Sequence, residues 1–205
     1  IGLEALQPYP FERLNALLQG VTPAGSQTIP LTIGEPQHPP PIAVTELLAE
    51  HAPLVGKYPT TNGSSSLRAA IARWLERRFA LNTVNADQQV LPLNGTREGL
   101  FSLAQAVVTH GQTGAVISPN PFYQIYEGAA LLAGSSPRFV NCDHDNGFTP
   151  DFSRISEDEW QACQLLYICT PGNPAGAVLS TTQLQQLIAL AQEHDFVIAS
   201  DECYS

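Results

Sequence analysis

The sequence predicts an α/β protein, a mostly parallel sheet in three layers, and three observations carry that expectation. From about Ser64 onward, short β-rich runs at 89–93, 115–118, 138–142, 165–170 and 196–200 alternate with amphipathic helical stretches at 96–109, 122–132 and 181–194. That alternation is what strands joined by crossover helices write into a chain. The run at 196–200 is almost wholly apolar. Finally, 205 residues with 43% hydrophobic and 14% charged content suffice for one sizeable core, or one core plus part of a second.

Taken in order, residues 1 to about 45 are rich in proline, with Pro8, Pro10, Pro23, Pro30, Pro36 and Pro39 to Pro41. They read as an arm with one short helix. Ser64, Ser65 and Ser66 offer N-caps to a helix through about Phe79, whose Leu67, Ile71, Trp74, Leu75 and Arg78 fall along one side and predict its core face. The four cysteines, Cys142, Cys163, Cys169 and Cys203, show no C-x-x-C pair, so no metal site or disulfide framework is expected and they read as buried thiols. Asn62-Gly63-Ser64 and Asn94-Gly95-Thr96 match the glycosylation pattern but read better as turns.

A net charge of −10 with nine basic residues argues against nucleic acid or anionic membrane as a partner, since both need clustered Lys and Arg. No stretch reaches the ~18 apolar residues of a membrane span, and the opening IGLEALQPYP lacks a signal-peptide layout, so a cytoplasmic address is expected. No G-x-G-x-x-G or P-loop pattern occurs, which leaves dinucleotide and P-loop chemistry unsupported. With no Met, a start at Ile1 and a stop at Ser205, further residues are expected beyond both ends.

In open α/β sheets ligands sit beyond the carboxyl ends of the strands, so the residues after each strand are where chemistry is sought. Asn94-Gly95-Thr96-Arg97 opens a helix and reads either as a phosphate seat, with free N–H groups and a cation, or as a capped helix start. Phe122, Tyr123 and Tyr126 follow the second run and either stack a flat ring or pack a helix onto the sheet. Asn173, between Gly172 and Pro174, is either a turn former or an amide donor to a ligand. Asp201 ends an apolar strand, where an unpaired buried carboxylate would cost several kcal/mol and so demands a partner.

Together these places resemble the class I and II aminotransferases, and the likeness runs from Thr32 to Ser205. The motifs are TIGEP at 32–36, KYPTTNGSSSLR at 57–68, LNGTREGLF at 93–101, PNPFYQIY at 119–126, TPGNPAG at 170–176 and SDECY at 200–204, in the family's order and spacing. Within the family, TIGEPQHPPP, YPTTNGSSSLR and NGTREGLF are most similar to the succinyldiaminopimelate branch, which serves bacterial lysine biosynthesis.

The resemblance implies pyridoxal 5'-phosphate as cofactor and an aspartate aminotransferase-like fold. Residues 46–205 would be the first portion of its large cofactor-binding domain, and 1–45 an N-terminal arm with part of a small domain. It implies that Gly95, Thr96 and Arg97 hold the cofactor phosphate, that Tyr58 reaches the phosphate of the neighbouring subunit in a homodimer, and that Tyr123 stacks on the pyridine ring. Asn173 and Tyr204 would bond its phenolic oxygen, Gly34 with Asn173 would sit near the substrate carboxylate, and Asp201 would pair with the protonated ring nitrogen. A ring kept cationic in this way drains charge from the carbanion left by proton removal. Tyr204, three residues on, would share a face with Asp201 if the chain turns helically there.

The implied reaction moves an amino group between an amino acid, N-succinyl-diaminopimelate by this likeness, and 2-oxoglutarate. The family's Schiff-base lysine and substrate-binding arginine are expected beyond Ser205. Lys57, the one lysine, reads as a solvated loop residue, so this chain alone is expected to be inactive. Two other readings share the motifs: an alanine, aspartate or aromatic aminotransferase or carbon–sulfur lyase of the same fold, and a non-catalytic cofactor-binding regulatory module.

Overall fold

Leu165, Leu166, Tyr167 and Ile168 are each no more than 3% exposed, and a run buried on both faces belongs at the centre of a parallel sheet. In a computed structural model describing residues 2–22, 24–25, 29, 31 and 33–205, it forms strand β3. Among the described residues four parallel strands, β1 (Val116–Asn120), β2 (Arg138–Asn141), β3 (Leu165–Cys169) and β4 (Val197–Asp201), lie in the order β2-β1-β3-β4. The helices are α1 (Pro10–Leu18), α2 (Ile42–His51), α3 (Ser65–Phe79), α4 (Thr96–Val107), α5 (Ile125–Leu132), α6 (Glu157–Ala162) and α7 (Thr181–His194).

The chain divides into two compact units, Phe11–Pro92 and the N-terminal residues through Pro10 with Leu93–Ser205. The second holds the whole sheet, and the period-two alternation of its strands separates two cores. Leu165 and Tyr167 face one core with Val116, Ala199, Leu100 and Ala104 of α4, and Ala129 of α5. Leu166 and Ile168 face the other with Ile117, Val140, Trp160 of α6 and Leu187 of α7. Helix, sheet and helix thus form the three layers, with α4 and α5 on one side and α6 and α7 on the other.

Helices α6 and α7 start on capping boxes, Ser156 with Glu159 and Ser180 with Gln183, each satisfying two otherwise orphaned donors. Glu159 also pairs with Arg138 of β2.

In the other unit, α3 turns a different face inward from the one its apolar spacing suggests. Leu67 and Trp74 are about half exposed, while Arg68 and Ala72 are buried. Arg68 explains the rotation: its guanidinium donates to the carbonyls of Asn62 and Gly63 at 3.1 and 2.6 Å and to Asp87 Oδ1 at 2.7 Å. A buried cation needs such partners, and here they pin the loop of the YPTTNG motif.

Other expectations are also corrected. Residues 89–93 form no strand: Gln88 and Gln89 turn back to donate to the Asn85 carbonyl, and Pro92 has no N–H for a ladder. Helix α5 begins at Ile125, leaving Phe122 and Tyr123 in the lead-in. Of the four thiols, Cys163 is buried, Cys142 and Cys169 are half-buried, and Cys203 is exposed. Burial pushes the Cys163 thiol up to about 12. Thr32, which opens the TIGEP motif, and Pro23 and Pro30 of the arm lie outside the described residues. No described helix is long and apolar enough to cross a membrane.

Leu166 is fully buried in the α6–α7 core. Leu166→Ala is expected to lower unfolding stability by about 2–5 kcal/mol in urea denaturation, and a loss below about 1 kcal/mol would contradict this packing.

Candidate active site

The strand order reverses between β1 and β3, and in such sheets the crevice beyond the carboxyl ends at that point takes the ligand. Asp201 ends β4 with its Cα opposite Cys169 of β3, two residues past Ala199 and so on the α4–α5 face. It is 6% exposed. Its carboxylate has the donors that burial demands: the Tyr126 hydroxyl reaches Oδ2 at 2.6 Å, and the Cys203 N–H reaches Oδ1 at 3.3 Å.

Helix α4 begins on Gly95, at φ 96° and ψ 161°, with no side chain capping it. A Cβ there would meet nothing within 4 Å. The first N–H groups of a helix have no intrahelical acceptor, and Glu98 turns back to take the Asn94 N–H at 2.7 Å. What remains is an open helix start, the geometry that receives an anion. Arg97 stands beside it, its Nε donating to the Tyr123 hydroxyl at 2.6 Å and its guanidinium 5.9 Å from that ring's centroid. The hydrogen bond and charge of Tyr123 hold the Arg97 pKa above its ordinary value.

The start of α4 and the end of β4 meet. Thr96 Oγ1 lies 3.2 Å from Cys203 Sγ across 107 positions of sequence. Tyr123 meets Tyr126 edge to face at 5.9 Å. A closed circuit results, from Thr96 and Arg97 through Tyr123, Tyr126, Asp201 and Cys203 back to Thr96. The Thr96 contact draws the Cys203 thiol pKa down, but burial and the Asp201 carboxylate leave it raised on balance.

A family model for the class I and II aminotransferases matches residues 26–205. The chain belongs to the class I and II aminotransferases. A structure of an aminotransferase from Neisseria meningitidis Z2491 is 45% identical with a TM-score of 0.89, covering 99% of this chain and 52% of its own. Aminotransferase AspB from Helicobacter pylori 26695 is 37% identical with a TM-score of 0.88, covering 98% and 52%. An LL-diaminopimelate aminotransferase from Aquifex aeolicus (strain VF5) is 33% identical, over 99% of this chain and 52% of its own length. The chain therefore spans about half the length of these relatives. The aspartate aminotransferase-like fold agrees with the parallel three-layer arrangement, and the cofactor of the class I and II aminotransferases is pyridoxal 5'-phosphate.

Of the residues that the family motifs mark, Gly95, Thr96, Arg97, Tyr123 and Asp201 fall on or beside the circuit. Asn173 follows β3. It lines a pocket with Pro119, Pro121, Cys169 and Gly172 that neither Asp201 nor residues 95–97 line. Tyr204 sits in a turn after β4, with no helix, and is 58% exposed. Gly34 and Tyr58 lie on exposed segments of the other unit, as does Lys57.

By sequence Tyr126 groups with Phe122 and Tyr123 and is not marked as the partner of Asp201. The available signal was its place three residues after Tyr123 on a helical start. Cys203 was missed because a lone thiol carries no spacing pattern.

Because φ 96° with ψ 161° is a conformation nearly reserved for glycine, Gly95→Ala is expected to cost about 1–3 kcal/mol in chemical denaturation from backbone strain alone. An unchanged midpoint would contradict the assigned turn.

Proposed function

We propose that the protein moves an amino group between an amino acid and a 2-oxo acid by means of pyridoxal 5'-phosphate, with N-succinyl-diaminopimelate as donor and 2-oxoglutarate as acceptor. The observation that carries this reading is the circuit closed by Thr96 and Cys203. It joins an open helix start to the turn that carries a buried carboxylate, and the reading takes both to be addressed by one small molecule with a phosphate at one end and a basic nitrogen at the other.

The residues fit that cofactor. The α4 start has uncapped donors and free space at Gly95, and Asp201 is a buried acid fixed by two donors. When bound, pyridoxal phosphate supplies an electron-poor ring that takes up the charge left as a substrate Cα–H proton departs. Asp201 holds a proton at the ring nitrogen, which sustains that capacity. Gly95, Thr96 and Arg97 bind the phosphate through N–H groups and charge. Tyr123 would orient the ring by stacking, and Asn173 and Tyr204 would donate to its phenolic oxygen, with Asn173 also near the substrate carboxylate. Tyr58, 99% exposed, would reach the phosphate of a second copy, and on this reading the working unit is a homodimer.

The donor assignment rests on the motif likeness in residues 32–41, 58–68 and 94–101. The free LL form is the second reading, because the Aquifex aeolicus relative carries it in its name. Assay of the full-length protein with 2-oxoglutarate and a panel of donors separates the two. The highest kcat/KM is expected on N-succinyl-diaminopimelate; a preference for LL-diaminopimelate selects the second reading, and inactivity with every amino donor removes the function.

Asp201→Ala is expected to lower kcat roughly a thousandfold, about 4 kcal/mol of transition-state stabilisation, while cofactor binding through the phosphate persists. Near-normal turnover would defeat the role of Asp201.

A further inference from the structure

Tyr126 has no part in the reaction as laid out above, yet it is 1% exposed and among the largest fully buried side chains. Its hydroxyl donates to Asp201 Oδ2 at 2.6 Å. Its ring lies nearly flat on Tyr167, with centroids 4.6 Å apart and planes 13° apart. The Tyr167 hydroxyl in turn donates to the Leu100 carbonyl of α4 at 2.6 Å. The stack therefore ties the carboxylate at the end of β4 to the helix whose first turn forms the open anion seat.

Packing alone does not require that hydroxyl. A phenylalanine would fill the same space and spare the desolvation of a phenol, which is costly when unpaired. Burial, and after it the bond to Asp201, hold the Tyr126 phenol far above its ordinary value, so it remains a proton donor throughout the working pH range. The second oxygen of Asp201 takes the Cys203 N–H. One side-chain donor and one main-chain donor from different elements thus determine how the carboxylate is turned.

We propose that Tyr126 is a positioning residue: it sets the orientation of the Asp201 carboxylate and, through its stack on Tyr167, holds that carboxylate at a fixed place relative to the start of α4. The proposal rests on the reading that Asp201 addresses the cofactor ring. In this assignment Tyr126 acts on the cofactor only through Asp201.

The test is a double-mutant cycle in the full-length protein, comparing wild type, Tyr126→Phe, Asp201→Ala and the double variant. The readouts are the pyridoxal phosphate dissociation constant, kcat and KM, and the pH at which the visible absorbance of the bound cofactor titrates. Tyr126→Phe is expected to lower kcat about tenfold, as for loss of a hydrogen bond to a charged group, with KM and cofactor affinity nearly unchanged. The cofactor titration is expected to move in the same direction as in Asp201→Ala, and the substitution should add nothing once Asp201 is gone. Equal losses with and without Asp201, or an unmoved titration, would overturn the proposal, because a tyrosine that only fills space acts independently of residue 201.

If Tyr126→Phe fails to fold, Tyr167→Phe takes its place, since it keeps both rings and severs only the anchor to Leu100. It is expected to lower kcat about threefold, the scale of a neutral hydrogen bond, in the presence of Asp201 and not in its absence. Equal losses on both backgrounds would refute the relay. A wild-type protein that takes up no pyridoxal phosphate would instead remove the functional reading beneath it.

Discussion

A carboxylate placed at the end of an apolar strand must find donors or lose its charge, and the arrangement around the sheet follows from how Asp201 meets that demand. The alternation of β4 turns residue 201 to the same face as Ala199, where α4 and α5 pack. Helix α5 answers with the Tyr126 hydroxyl, and the turn after β4 answers with the Cys203 N–H. The same turn carries the Cys203 thiol to Thr96, so satisfying one buried acid also brings the end of a strand against the beginning of a helix.

Those two places have opposite electrostatic character. The start of α4 presents N–H groups and the positive end of a helix dipole, with Arg97 beside it, whereas Asp201 presents a negative charge held in a largely apolar setting. A molecule with an anionic tail and a cationic ring nitrogen is complementary to both at once. The charges at these two places are those that the proposed placement of the cofactor requires.

Much of this was legible in the sequence because its signals are local. The β-rich run at 165–170 marks a strand, the amphipathic stretch at 181–194 marks α7, and residues 94–97 mark a helix opening on glycine. Other features depend on distant partners and were not legible. The α3 face turned because Arg68 reaches Asn62, Gly63 and Asp87, and no apolar spacing records a buried cation. Residues 89–93 have the composition of a strand but no neighbour to pair with, and Pro92 removes a donor. By sequence Tyr126 is one of three aromatics that either stack a flat ring or pack a helix, because its decisive contact lies 75 residues away. The small helix α6 was overlooked although Ser156 and Glu159 spell a capping box, since its six residues are too few to show a period.

The central claim is that one cofactor molecule spans from the α4 start to Asp201. A crystal structure of the full-length protein soaked or grown with pyridoxal 5'-phosphate tests it most directly. The phosphate is expected on the N–H groups of residues 95–97, with the ring nitrogen within hydrogen-bonding distance, about 3 Å, of an Asp201 carboxylate oxygen. A phosphate bound elsewhere, or a ring nitrogen facing solvent with Asp201 still engaged only by Tyr126 and Cys203, would contradict it.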